Sequence, residues 1–269
     1  MEIINPKARR TSPITTAVFD FDGTVSTLRA NWEEIMYTLM LEQICPLEEG
    51  ESYPEALRQE IEAYIDESTG IQTAYQMQWL QERVLSYGKN KNAAGRDLWW
   101  YKDEYNRLLL EMVHTRIDKL GKGELNPADF RIAGSLEFCK ALHEQGVTIY
   151  IASGTDDVDL QKEVGILGLS PYVAEVKGAP EREISCSKEK VLERLLATIP
   201  AAELAVFGDG KVEIMLGHKA GAVTVGTATD ETALAGINPV KYSRLAKAGA
   251  DVITGDFLDK DELFSFIGL

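Results

Sequence analysis

The sequence predicts an α/β fold: a parallel sheet between two layers of helices, interrupted after its first strand by an all-helical insertion. Three observations predict it. Short β-branched runs alternate with helical patterns from about residue 130 onward. Between about residues 27 and 130 the apolar period is that of helices alone. One strand-like run, "ITTAVFDFD" at residues 14–22, stands ahead of that helical stretch, cut off from the others.

That first run is apolar and ends in two acids. The segment after it is helical, so its Asp-Gly pair is not a hairpin turn, which would need a returning strand. "NWEEIMYTLMLEQI" opens the helical stretch. Ser52 and Glu55 have capping-box spacing ahead of Leu57, Ile61, Tyr64 and Ile65. Met77, Leu80 and Val84 mark the next helix, and Leu98, Tyr101, Tyr105, Leu108 and Met112 the one after. Between them Gly70 breaks the pattern in "STGIQT", which reads as a plain interhelical turn, the alternative being a substrate-reading loop with Gln72 donating to hydroxyls.

From residue 135 the period alternates. "SLEFCKALHEQG" is a helix capped by Ser135 and closed by Gly146, "VTIYIAS" a strand, and Leu160, Val164 and Leu167 the face of the next helix. The strands "YVAEV", "ELAVFGD", "AVTVG" and "ADVIT" follow, with the helix "KEKVLERLLATI" before the second of these. The helix "DKDELFSFI" comes last, its Asp259 and Glu262 at capping-box-like spacing. The expected division is a core of residues 1–27 and 131–269 and a helical insertion of residues 28–130, which is of ordinary domain size.

Composition narrows the function. Hydrophobic residues make up 45% of 269, ample for a core, and 43 acidic against 28 basic residues give a net charge of −15. With no basic cluster, nucleic acid is excluded as an expected partner, and with no long apolar run so is a membrane. Cys45, Cys139 and Cys186 have neither disulfide nor metal-ligand spacing, and His114, His143 and His218 are isolated. The N-terminal stretch lacks the apolar segment of a signal peptide, so the cytoplasm is the expected compartment.

In open parallel sheets chemistry gathers beyond the carboxyl ends of the strands. Asp20 and Asp22 lie there, and two further strands end in "ASGTDD" and "FGDGKVE". One cluster of acid, hydroxyl and glycine is an ordinary loop; three at separate strand ends point to a shared site.

These residues resemble the haloacid dehalogenase superfamily. "FDFDGTVS" is similar to its first motif, Ser153 to its second, and Gly208, Asp209 and Glu213 to its fourth; the third is a lone lysine, for which order and spacing favour Lys188 over Lys177 and Lys190. The resemblance implies a Rossmann-like three-layer sandwich whose inserted helices form a C1 cap. It implies Asp20 as nucleophile and Asp22 as general acid and base. Mg²⁺ would be held by Asp20, Asp209 and the Asp22 main-chain carbonyl, with Glu213 acting directly or through water. Ser153, Lys188 and the N–H groups around Gly23, Thr24 and Gly154 would hold the transferring oxygens.

The activity so implied is hydrolysis of a small phosphate monoester through an aspartyl phosphate, with a sugar or polyol phosphate as the favoured metabolite. Three alternatives stay open: a phosphomutase of the β-phosphoglucomutase type, a phosphonate hydrolase using Lys89, Lys91 or Lys102 as a Schiff base, and a non-catalytic binding module. Oligomeric state is not legible. Arg29 and Trp32, just after the first motif, could contact substrate, but Arg29 reads rather as solvated and Trp32 as cap core; Trp99, Trp100 and Tyr101 could line a pocket, though the packing of the cap explains them.

Overall fold

The computed structural model describes residues 1–269. Seven strands form one sheet: β1 (Glu2–Ile3), β2 (Thr16–Phe19), β3 (Thr148–Asp156), β4 (Glu175–Ala179), β5 (Leu204–Gly208), β6 (Val223–Thr227) and β7 (Val252–Thr254). Their order is β1-β7-β6-β5-β2-β3-β4. All neighbours are parallel except the short edge strand β1, which pairs antiparallel with β7 and was not expected. The chain runs outward from β2 through β3 to β4, then returns to the other side of β2 with β5. The point where strand order reverses therefore lies beside β2, where crevices form in such sheets.

Six helices cover the sheet: α5 (Ser135–Glu144), α6 (Asp157–Ile166), α7 (Ser187–Leu196), α8 (Lys211–Ala220), α9 (Pro239–Ala248) and α10 (Lys260–Ile267). Alternate strand residues feed two cores. Ala17 and Phe19 join the larger, in which Phe19 stacks on Phe207 at 4.3 Å and Phe138 and Phe257 close around them; Val18 and Val206 face the other, under α7.

Four helices intervene between β2 and β3: α1 (Trp32–Ile44), α2 (Glu55–Glu67), α3 (Thr73–Tyr87) and α4 (Leu98–Gly121). They bury their own cluster, including Met36, Ile61, Met77, Leu80 and Tyr105. Arg116 of α4 donates to the carbonyls of Leu28 and Ala30, fixing the entry of the chain.

Three expected caps are not formed. α2 begins at Glu55 after Pro54, leaving Ser52 outside it. α5 is capped by Gly134 at φ +75°, where a Cβ would meet the Phe257 carbonyl at 2.7 Å, and the Ser135 hydroxyl bonds to Val25 O instead. Asp259 precedes α10 without a side-chain bond to it. The strand expected at "YVAEV" begins three residues later, at Glu175, because Ser170–Tyr172 form a 3-10 turn around Pro171.

Candidate active site

The sheet register builds the site. Phe19, Ile151 and Phe207 lie in one row across β2, β3 and β5, so Asp20, Ser153 and Asp209 all fall within two residues past that row, at the carboxyl edge. A bulge in β3 between Ala152 and Asp156 turns Ser153 and Thr155 out of the regular pleat. Gly23, at φ +73°, turns the chain back after β2, and a Cβ there would sit 2.2 Å from Asp209 Oδ2. Only glycine permits this approach.

Lys188, in the first turn of α7, is buried between two carboxylates, 3.0 Å from Asp20 Oδ1 and 2.8 Å from Glu213 Oε2. Lys177 is exposed and 4.0 Å from Asp157, and Lys190 is exposed and paired with Glu183. Of the three lysines, only Lys188 reaches the site. The second oxygen of Glu213 accepts from Gly210 N at 2.6 Å, so this residue closes the N-terminus of α8 while holding Lys188.

Burial pushes the Asp20 carboxyl well above its ordinary value, with Lys188 acting in the opposite direction. Asp22 is likewise raised by burial, against Arg29 and the Thr155 hydroxyl, which donates to its Oδ2 at 2.7 Å. Its Oδ1 is buried without a partner in the chain. Asp209 goes the other way: burial opposes ionisation, but Lys241 beside it prevails and holds the carboxyl below its ordinary value. Burial works against the Lys188 charge, and Asp20 and Glu213 more than offset it.

Carboxylate oxygens of Asp20, Asp209 and Glu213 all lie within 4.8 Å of one another. The three donors are all-oxygen, anionic and buried, a set that suits a hard divalent cation such as Mg²⁺. Beside them a cavity of about 100 Å³ is lined by Asp20, Asp22, Gly23, Ser153, Gly154 and Lys188 from the sheet side, and by Thr69, Gly70 and Gln76 from the insertion.

The profile of the haloacid dehalogenase-like hydrolases matches residues 14–221. The chain belongs to this family. Solved structures of three other proteins share its fold. A predicted phosphoglycolate phosphatase from Haemophilus somnus has a TM-score of 0.60 at 16% identity, covering 93% of this chain and 97% of that one. A β-phosphoglucomutase from Clostridium difficile has 0.61 at 14%, covering 94% and 97%. A predicted phosphatase from Clostridium acetobutylicum has 0.56 at 15%, covering 94% and 97%. No curated protein matches by sequence.

Within this haloacid dehalogenase-like hydrolase several residues differ from expectation. Thr24 is fully buried and outside the cavity, and the N–H groups of Gly23 and Thr24 bond to Ser26 O and Phe21 O within the turn. Arg29 is not solvated. It lines the cavity and pairs bidentately with Glu163 of α6, while its Nη1 makes no bond to the chain. Gln72 does not face the cavity but bridges to the core, donating to Glu183 O and accepting from Ser185 N. Lys102 is clamped on Asp156 at 2.6 Å and Lys89 on Glu51, and none of Lys89, Lys91 and Lys102 lines the cavity. Trp32 does line it, whereas Trp99 and Trp100 stack under Arg182 and Arg96, and Tyr101 is packed inside the insertion.

Residues that sequence reasoning did not single out complete the site. Thr155 holds Asp22, Ser187 donates to Ser153 O, and Glu231, Lys241 and Arg244 surround Asp209. Thr155 stands in the quoted "SGT", and Ser187 is next to the lysine. The last three carry no local motif. No helix is long and apolar enough to cross a membrane.

Proposed function

We propose that the protein is a Mg²⁺-dependent phosphatase of small phosphate monoesters that carries the phosphoryl group on Asp20. The observation that carries this reading is the convergence of Asp20, Asp22, Ser153, Lys188 and Asp209, from four separate segments, on one cavity.

In the first step an Asp20 oxygen bonds to phosphorus as the ester P–O bond breaks, and the leaving alkoxide takes the proton from Asp22 Oδ1. In the second, Asp22, now a carboxylate, takes a proton from water, whose oxygen bonds to phosphorus as the bond to Asp20 breaks. Inorganic phosphate leaves and Asp20 is restored. Thr155 holds the other Asp22 oxygen, which leaves Oδ1, without a partner in the chain, to trade the proton. Lys188 and the Ser153 hydroxyl hold the equatorial oxygens, where charge accumulates in the transition state.

Asp20, Asp209 and the Asp22 carbonyl would hold Mg²⁺, with Glu213 behind them, its oxygens already taken by Lys188 and Gly210 N. The bound ion supplies positive charge that offsets repulsion between these acids and the phosphate.

The inserted helices act as a cap of residues 28–130 over the crevice. Gly70 lets this cap come down directly on the site: its Cβ position is 3.3 Å from Gly210 Cα and 3.8 Å from Lys188 Nζ. The cavity left is below the roughly 300–1,000 Å³ of drug-sized pockets, which favours a short sugar or polyol phosphate over a hexose or a phosphoprotein. Arg29 Nη1 and the second Nε2 hydrogen of Gln76, whose first goes to Ser68 Oγ, would donate to its hydroxyls, and Thr69, whose hydroxyl donates to Ile65 O, could accept from them.

A screen of phosphorylated metabolites with the purified protein and Mg²⁺ tests this. Inorganic phosphate is expected from a short polyol or sugar phosphate, and none once the metal is chelated. Isomerisation of a sugar phosphate without phosphate release, or no turnover of any ester, would contradict it.

A further inference from the structure

The family match ends at residue 221, yet the closest partners of Asp209 lie beyond it. Lys241 Nζ donates to Asp209 Oδ2 at 2.7 Å and is held from its other side by Glu231 Oε1 at 2.5 Å. Arg244 Nη2 donates to the Asp209 main-chain carbonyl at 3.2 Å. Asn238 caps α9 by accepting from the N–H groups of Val240 and Lys241, so Lys241 leaves the helix at a fixed point. Only 12% of its side chain is exposed. Asp209 Oδ1 accepts no hydrogen bond from the chain.

A buried ammonium–carboxylate pair is a poor source of stability, because the desolvation of both charges cancels much of their attraction. What the pair does achieve is to engage one named oxygen of a carboxylate in the candidate metal centre. We propose that Lys241 restricts Asp209 to a single ligand oxygen, and that this restriction sets the preference of the site for Mg²⁺ over Ca²⁺. The inference rests on the reading of Asp209 as a metal ligand.

The chemistry of the two ions gives the direction. Mg²⁺ demands six oxygens in a tight octahedron, a geometry in which a carboxylate supplies one oxygen. Ca²⁺ takes six to eight, and often both oxygens of one carboxylate. With Oδ2 committed to Lys241, the two-oxygen mode that Ca²⁺ would exploit is closed. The charge of Lys241 opposes both ions alike, since both are divalent, so the ratio of their affinities isolates the constraint on the oxygen from the electrostatics. Glu231 keeps the ammonium in place.

The test is metal binding by the full-length protein: Mn²⁺ occupancy followed by the electron paramagnetic resonance of the unbound ion, with displacement by Mg²⁺ or Ca²⁺. Lys241→Met is expected to raise the Ca²⁺/Mg²⁺ affinity ratio about tenfold, the scale on which partners of ligand residues act. Lys241→Arg, which keeps a donor there, is expected to hold the wild-type ratio. An unchanged ratio in Lys241→Met overturns the proposal. If circular dichroism shows that variant to be unfolded, the double variant Lys241→Met with Glu231→Gln, which also removes the carboxylate left unpaired, replaces it: the same rise is expected, and an unchanged ratio overturns the proposal equally. Failure of the wild type to bind Mn²⁺, or binding undiminished in Asp209→Asn, would instead overturn the metal reading itself.

Discussion

Asp22 has one oxygen in use and one idle, and this division suits the proposed role of a group that both gives and takes a proton. The Thr155 hydroxyl engages Oδ2, while Oδ1 is buried and unpartnered. Burial raises its pKa, which favours the protonated form that the proposed first step uses. Arg29 tempers that rise and is itself held by Glu163, whose carboxyl burial pushes up to about 7 against the opposing pull of Arg29. A folded-state value above the ordinary one means that, between about pH 4.5 and 7, the native protein keeps a proton the unfolded chain has released. Stability from this group is therefore greatest at the acidic end and lost as pH rises through 7. Unfolding free energies in urea should fall more steeply with pH across this range in the wild type than in Glu163→Gln, by on the order of 1–3 kcal/mol. Equal pH dependence in the two would show that Glu163 is not the source.

At the scale of elements, the turn from β2 into the insertion sets the reach between Asp20 and Asp209. Gly23→Ala would place a methyl carbon 2.2 Å from Asp209 Oδ2 and force a left-handed φ on an L-residue, at a backbone cost of about 1 kcal/mol or more. The expected result is a fold that survives with Mn²⁺ affinity lowered about tenfold or more by displacement of the Asp209 oxygens; wild-type affinity in the alanine variant would show that the turn has slack.

The same turn marks how far the sequence could be read. Strands β2, β3, β5, β6 and β7 were legible because they are buried runs of β-branched residues, and the insertion because its apolar period is 3.6. Asp20, Ser153, Lys188 and Asp209 were legible because each sits where a strand ends or a helix starts. The caps of α2, α5 and α10 were not, since Pro54 and the left-handed Gly134 override the Ser and Asp signals nearby. Nor was the two-residue β1, whose pairing with β7 is a tertiary event. Arg29, read as solvated, and Lys241, not singled out, were missed for a related reason: their partners Glu163 and Asp209 are 134 and 32 residues away, and a lone basic residue reads as solvated until the fold supplies its carboxylate.

Across the whole molecule, two separately packed bodies are joined at the site. The insertion has its own core, and it docks on the sheet side through polar bonds: Gln72 to Glu183 and Ser185, Lys102 and Asn106 to Asp156, and Asp66 to Arg244. Arg244 belongs to the group around Asp209, so the docking and the candidate metal centre share a residue. Polar contacts of this kind are weaker than the apolar cores on either side, which is compatible with the proposed role of the insertion as a cap that opens for substrate and closes to exclude water. The function proposed above depends on Asp20 accepting the phosphoryl group. The most direct measurement is rapid acid quench of the protein during turnover of a substrate from the metabolite screen, followed by mass analysis of its peptides. The peptide bearing Asp20 should carry the added mass of one phosphoryl group in the wild type, and Asp20→Asn should show neither the adduct nor phosphate release. Phosphate release at the wild-type rate by Asp20→Asn would contradict the role assigned to this residue.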